Sequence, residues 1–307
     1  MPITTTANNK IINKESLLKK INFYKKVIFD LTKVRITFMV AVTTIVGYIL
    51  FSSKLDFKIA ITTIGVFLLA CGASALNEYQ ERNSDFLMTR TKNRPIPSGR
   101  ISPANALFLS IIFILLGSVL LGIIAVKVML LGLLTLCWYN FVYTPLKYKH
   151  ALAILPGSLI GALPPIIGWT SAGGNISEPS ILIFGTFLFI WQIPHFWLLL
   201  LLYDNDYRAG GFPTLTTIFS YKQLSKLTFA LIVSLVLFSS SLLLHSIANT
   251  FFNTFSLVLL GLVLLILSSK ILFKQNRTVF RNTFLYVNFY VLLVLILIVF
   301  DKTIKFS

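Results

Sequence analysis

The stretch NEYQERNSDFLMTRTKNRPIPSGR, residues 77–100, decides how the rest of the chain is read. It lies between two apolar runs, from about residue 59 to 76 and from about 104 to 126. Asn77, Glu81 and Asp85 recur every four residues. On a helix that spacing puts all three side chains on one face. At ~1.5 Å rise per residue the row is about 12 Å long. That is the reach needed to hold a diphosphate through a divalent metal. Oxygen donors of this kind suit Mg²⁺, which keeps part of its water shell and bridges to phosphate. Arg90 and Arg94 follow, also four apart, and offer bidentate donors to phosphate oxygens.

The plain alternative is a solvated loop between two spans. Scarcity argues against it. The whole chain holds ten acidic residues; Glu78, Glu81 and Asp85 fall within this stretch, and Asp204 and Asp206 sit together further on. Acids clustered beside membrane helices, in a chain that otherwise avoids them, point to function.

Composition sets the class. The 307 residues are 56% hydrophobic and 12% charged, with mean hydropathy +0.84. No soluble globular domain has this balance. Several apolar runs approach the ~20 residues that cross a bilayer as a helix. An outer-membrane barrel would show short alternating segments instead. The net charge of +17 is read as loop lysine and arginine facing the cytoplasm, not as a nucleic-acid surface. Cys71 and Cys137 both lie in apolar runs, lack metal-ligand spacing and are expected to be buried packing residues.

Nine spans are expected, at about 36–52, 57–77, 104–126, 128–146, 151–171, 181–203, 227–247, 252–272 and 284–300. The fold class is therefore an all-α polytopic bundle around a central cavity opening to the cytoplasm. Residues 1–35 form a basic cytoplasmic segment, with an amphipathic helix over about 14–29 or a disordered basic tail. Residues 36–300 form a single transmembrane domain, and 301–307 a short tail. No signal peptide is visible, and the basic N-terminus suits a bacterial plasma (inner) membrane protein. With the N-terminus inside, 22 of the 27 Lys and Arg residues fall in cytoplasmic segments. The loops bearing residues 77–100, 143–150 and 203–213 then open on the same side. A transporter would place its site near the midplane between repeats. Proline and glycine break spans five and six (Pro156, Gly157, Gly161, Pro164, Pro165, Gly168, Pro194), which reads as a pocket lining.

Several blocks resemble a known family. The pattern N-x3-E-x3-D-x2-M-x-RT-x2-RP, from Asn77 to Pro95, resembles the UbiA-type intramembrane prenyltransferases. Within them, four stretches are similar to the protoheme IX farnesyltransferases, or heme O synthases. These are MTRTKNRPIPSG at 88–99, YTPLKYK at 143–149 with LPGSLIGALPPIIGW at 155–169, WQIPHFW at 191–197 with DYRAGGFP at 206–213, and LTKVRITF at 31–38. The resemblance covers about residues 30–215. One departure is that the second acidic row of the wider superfamily is replaced here by His195, Tyr203, Asp204 and Asp206.

The resemblance implies transfer of farnesyl from farnesyl diphosphate to a vinyl group of protoheme IX (heme B), with addition of water. Heme B is then a substrate and Mg²⁺ the cofactor. Asn77, Glu81, Asp85, Arg90, Arg94 and Lys147 would be catalytic. Metal would be held by the first three; the facing loop with Asp204 and Asp206 could share the diphosphate and its metals, and the departure after span six leaves open which residue binds a second metal. Tyr143, Trp191, His195, Tyr203, Asp206, Tyr207 and Arg208 would bind substrate. His195 is open to two roles: axial ligand to the heme iron, or a hydrogen-bonded shaper of the pocket. Heme A synthase or the terminal-oxidase assembly machinery would be a partner, alongside the lipid bilayer. The alternatives are a prenyltransferase for a quinone-precursor ring, or a membrane transporter without chemistry.

Overall fold

The computed structural model describes residues 4–53, 56–245, 247 and 250–303, with side chains described from residue 17 onward. Among the described residues there is no strand. Among them, nine helices are long and apolar enough to cross a membrane. The protein is a multi-pass integral membrane protein. In hydrocarbon each backbone polar group must be satisfied within its own segment, and the helix does that.

The chain runs α1 (Thr4–Leu31), α2 (Val34–Phe51), α3 (Phe57–Leu87), α4 (Pro103–Ile124) and α5 (Val126–Cys137). A π-helical turn over Trp138–Tyr143 then leads into the short α6 (Thr144–Leu146). After it come α7 (Ile154–Ser171), α8 (Pro179–Ala209), α9 (Tyr221–Leu244), α10 (Phe251–Ser268) and α11 (Arg277–Thr303). Local signals start several of them. Asp56 accepts from the Lys58 and Ile59 N–H groups ahead of α3. Ser102 caps α4 with a proline in its first turn, and Ser220 with Gln223 forms a capping box on α9.

Helix α3 packs on α4, α2 on α7, α7 on α8, and α8 on α9 and α11. The α2–α7 seam uses small residues. A Cβ on Gly47 would lie 2.0 Å from the Pro165 carbonyl oxygen, and one on Gly168 2.0 Å from that of Thr44. Only glycine allows this approach, which supplies the van der Waals contact that holds helices together in lipid. Outward faces stay apolar, as with Phe108, Leu115, Val119 and Ile123 on α4.

The structure departs from the sequence reading at several edges, and α1, α9 and α11 start earlier than expected, at Thr4, Tyr221 and Arg277. Helix α3 continues to Leu87, ten residues past the expected edge at 77, so the acidic row stands on helix and not in a loop. Helix α8 continues to Ala209, past a kink at Tyr203 (φ −131°, ψ 27°). Cys71 is buried, but Cys137 is exposed, on the outward side of α5. The expected tail 301–307 is helical through Thr303, and residues 304–307 lie outside the described residues.

Candidate active site

The row on α3 is deeply placed: Asn77, Glu81 and Asp85 are each 5% exposed or less. Burying acids is costly unless each is paired, and here each member of the row has its own cation. Lys33, between α1 and α2, donates to Asn77 Oδ1 at 2.9 Å. Lys147, just after α6, forms an ion pair with Glu81. Arg94 reaches both oxygens of Asp85, at 2.8 and 2.7 Å. The three cations come from three separate segments, so the row is where those segments meet.

The backbone around the row is fixed by buried amides. Asn140, in the π-helical turn, donates to the Ala73 carbonyl (3.0 Å) and to Gln80 Oε1 (3.1 Å), and Gln80 donates back to the Asn140 carbonyl (3.0 Å). Asn77 donates to Thr144 (3.1 Å). A π turn inside an α-helical span is frequently a site feature, and this one delivers Tyr143 and Lys147 to the acids. Glu78, fully buried, accepts the Ile96 N–H at 2.9 Å and pins the loop that carries Arg94. Thr91 donates to the Asp85 carbonyl at 3.0 Å.

The end of α8 closes the other side. Asp206 accepts the Thr89 N–H at 3.2 Å and the Arg90 N–H at 3.0 Å. The Arg90 guanidinium lies over the rings of Tyr203 (5.1 Å) and Tyr207 (5.5 Å). A cavity of about 60 Å³ opens beside Lys147, lined by Tyr143, Phe196, Leu200, Tyr207 and Phe212. The Lys147 ammonium sits 4.9 Å from the Tyr143 ring centre. A cationic, aromatic mouth thus faces an apolar pocket.

Electrostatics follow from the pairing. Burial alone would lower the pKa of Lys147, but the Glu81 carboxylate overrides it and raises it. Lys33 has a neutral amide as its hydrogen-bond partner, and burial pushes it down to about 7. An arriving diphosphate would raise it again.

The donor set fits a hard cation of one type. Among the described residues no three His, Cys, Asp or Glu side chains converge into an all-protein cage. A row of one amide and two carboxylates suits Mg²⁺ bound partly by water and phosphate oxygens. Asp204 and Asp206 are otherwise committed. Asp204 is held by Thr216, Tyr221 and Arg208 (3.2 Å from Tyr221, 3.0 Å from Arg208), and both Asp206 oxygens are used by backbone. Arg208 is engaged with Asp204 and Thr216. Trp191 packs its edge against His195, 5.3 Å between ring centres.

This geometry has relatives. Residues 40–298 match the UbiA prenyltransferase family. The chain belongs to that family. Being a UbiA-family prenyltransferase, it is an enzyme. It is 40% identical over 182 residues to the protoheme IX farnesyltransferase of Geobacter sulfurreducens, covering 59% of this chain and 67% of that one. It is 38% identical over 190 residues to that of Christiangramia forsetii, covering 61% and 63%. The matched stretch thus spans about two thirds of these relatives. Among solved structures, a digeranylgeranylglyceryl phosphate synthase superposes with TM-score 0.73 at 16% identity, covering 91% of this chain and 98% of that one. A UbiA homologue from Archaeoglobus fulgidus, bound to GPP and Mg²⁺, superposes with TM-score 0.63 at 12% identity, covering 89% and 99%. These two show the shared fold.

Sequence reading assigned no role to four residues that build the site: Lys33, Glu78 (named only as one of the clustered acids), Gln80 and Asn140. Lys33 was visible only as part of LTKVRITF. Asn140 carried a usable signal, an amide inside an apolar run. Arg90 and Arg94, expected to act as a pair, diverge: Arg94 goes to Asp85 and Arg90 to the α8 tyrosines.

Proposed function

We propose that the protein transfers the farnesyl group of farnesyl diphosphate to a vinyl group of protoheme IX, with addition of water. The observation that carries this reading is the row of three cation-paired oxygen ligands beside a cavity with aromatic walls. The relatives named protoheme IX farnesyltransferase, together with the WQIPHFW and DYRAGGFP segments, favour heme as the acceptor.

The chemistry follows from the placement. Asn77, Glu81 and Asp85 would hold the metal, and Lys33, Lys147, Arg90 and Arg94 would take the diphosphate oxygens. Charge neutralisation on the departing diphosphate is what Mg²⁺ supplies when bound there. The allylic C–O bond breaks and its electron pair leaves with diphosphate. The vinyl π electrons form the new C–C bond to farnesyl C1. Water oxygen then bonds to the cationic carbon left on the porphyrin side, and one proton is released. Tyr143, Phe196 and Tyr207 shield the allylic cation from early capture by water. His195 and Trp191 lie on the heme side, and Tyr203 and Tyr207 hold Arg90 in place.

The excess of Lys and Arg in the segments on one side supports a cytoplasmic N-terminus and site, in a bacterial inner membrane. The product would pass to heme A synthase or to terminal-oxidase assembly.

The test is acceptor choice. Purified protein is given farnesyl diphosphate and Mg²⁺ with either heme B or 4-hydroxybenzoate, and prenylated product is measured. Product with heme B alone is expected. Product with 4-hydroxybenzoate alone moves the protein to the quinone branch, and none with either overturns the reading.

A further inference from the structure

Three features stand outside the acid row: the exposed apolar face of α1, the groove beside Lys127, and the polar pair that joins α8 to α11. Only the last has atoms that specify a ligand. His195 Nδ1 lies 2.7 Å from Asn288 Oδ1. On its other side the Asn288 carboxamide meets the Phe284 carbonyl oxygen at 2.5 Å. A carbonyl oxygen only accepts, so the amide nitrogen must be the atom facing it. The amide oxygen then faces His195, and Nδ1 must carry the proton. The tautomer is set by the network.

The consequence lies at the other ring nitrogen. Trp191, Phe196 and Phe284 surround the ring with centroids 5.3, 5.5 and 4.8 Å away. No carboxylate pairs with it, so the neutral form is favoured. Nε2 therefore carries a lone pair. It has no protein partner among the described residues, and the ring is only partly buried. Trp191 Nε1 beside it is buried and also without a partner. Phe196, the next residue, lines the cavity at Lys147. An imidazole that donates Nδ1–H to a carbonyl-type oxygen and presents Nε2 is the arrangement of a metal-binding histidine with its supporting shell.

We propose that Asn288 is a positioning residue: it fixes His195 as the Nδ1–H tautomer so that Nε2 ligates the iron of the heme substrate. This rests on the heme reading above. It adds a role for α11, which lies outside the stretch that resembles the heme-directed family. Ligation would fix the porphyrin relative to the allylic diphosphate, so that one vinyl group faces farnesyl C1.

The experiment uses full-length protein in detergent with heme B, reduced to the ferrous state, and reads the iron–histidine stretch by resonance Raman. Wild type should show the band and His195→Ala should lose it. Asn288→Leu removes the acceptor and should move the band to lower frequency. Asn288→Asp, a stronger acceptor, should move it higher, and serves where the leucine variant does not fold. The same band in wild type and in either Asn288 variant overturns the proposal, as does a band that survives His195→Ala. Farnesyl transfer is assayed on the same preparations. Wild type that converts heme without a histidine band overturns this proposal alone. Wild type that neither binds nor converts heme overturns the heme reading with it.

Discussion

Asp206 accepts the backbone N–H of Arg90 at 3.0 Å, joining the end of α8 to the loop after α3 across 116 positions of sequence. Its other oxygen takes the neighbouring Thr89 N–H. The carboxylate therefore sets the backbone from which the Arg90 side chain departs. Asp206→Ala should leave the helices folded, because these hydrogen bonds are exposed and cost about 1 kcal/mol to lose. Farnesyl diphosphate KM should rise roughly tenfold, equivalent to about 1.4 kcal/mol. Steady-state kinetics check this. An unchanged KM would remove the positioning role.

The Lys147–Glu81 pair makes a sharper prediction. Lys147→Met leaves a carboxylate with 6% side-chain exposure unpaired. Breaking one partner of a buried pair costs about 3 kcal/mol or more. Adding Glu81→Gln removes the stranded charge, so the double variant should regain much of the lost stability. It should not regain turnover, because both diphosphate charge and metal ligand are gone. Thermal unfolding in detergent and farnesyl transfer are measured together. Restored turnover in the double variant would contradict the roles given to both residues.

Asn140→Leu should lower the unfolding temperature and reduce turnover, although Asn140 touches no substrate. It removes the two hydrogen bonds that the Asn140 side chain donates, to the Ala73 carbonyl and to Gln80 Oε1, a loss of about 1–3 kcal/mol together. Activity equal to wild type at equal concentration of folded protein would show that the π turn needs no such lock to deliver Lys147.

How much of this could be read in the sequence differs by level. The nine spans were legible because hydrocarbon imposes a length on any helix that crosses it. The row Asn77, Glu81, Asp85 was legible because helical spacing survives whether or not the boundary is placed correctly. The boundary itself was not. Polar residues past 77 read as loop, yet α3 continues, since each acid meets a cation on a neighbouring segment. Those partners join residues up to 66 positions apart, as with Glu81 and Lys147, and no local pattern encodes them. Two acid-bearing loops at the ends of spans two and six suggest Asp204 and Asp206 as metal ligands. In this structure their oxygens meet Thr216, Tyr221, Arg208 and the backbone of Thr89 and Arg90, contacts that no local pattern encodes. Cys137 was misplaced because an apolar run does not say which of its faces meets lipid.

Removal of divalent metal should stop the reaction without unfolding the protein. Both carboxylates of the row, Glu81 and Asp85, already have a protein cation, so the buried charge stays compensated. Chelator should abolish farnesyl transfer, Mg²⁺ should restore it, and helix content by circular dichroism should not change. A rate that survives exhaustive chelation would contradict the metal assignment at Asn77, Glu81 and Asp85.

The central claim is the joining of farnesyl and water to a heme vinyl group. Purified protein, heme B, farnesyl diphosphate and Mg²⁺ are incubated in ordinary and in ¹⁸O-labelled water, and the hemes are analysed by mass spectrometry. The account predicts a new heme bearing one farnesyl group and one hydroxyl, whose oxygen comes from the labelled water. Unaltered heme B, recovered while diphosphate is released to another acceptor, would contradict it.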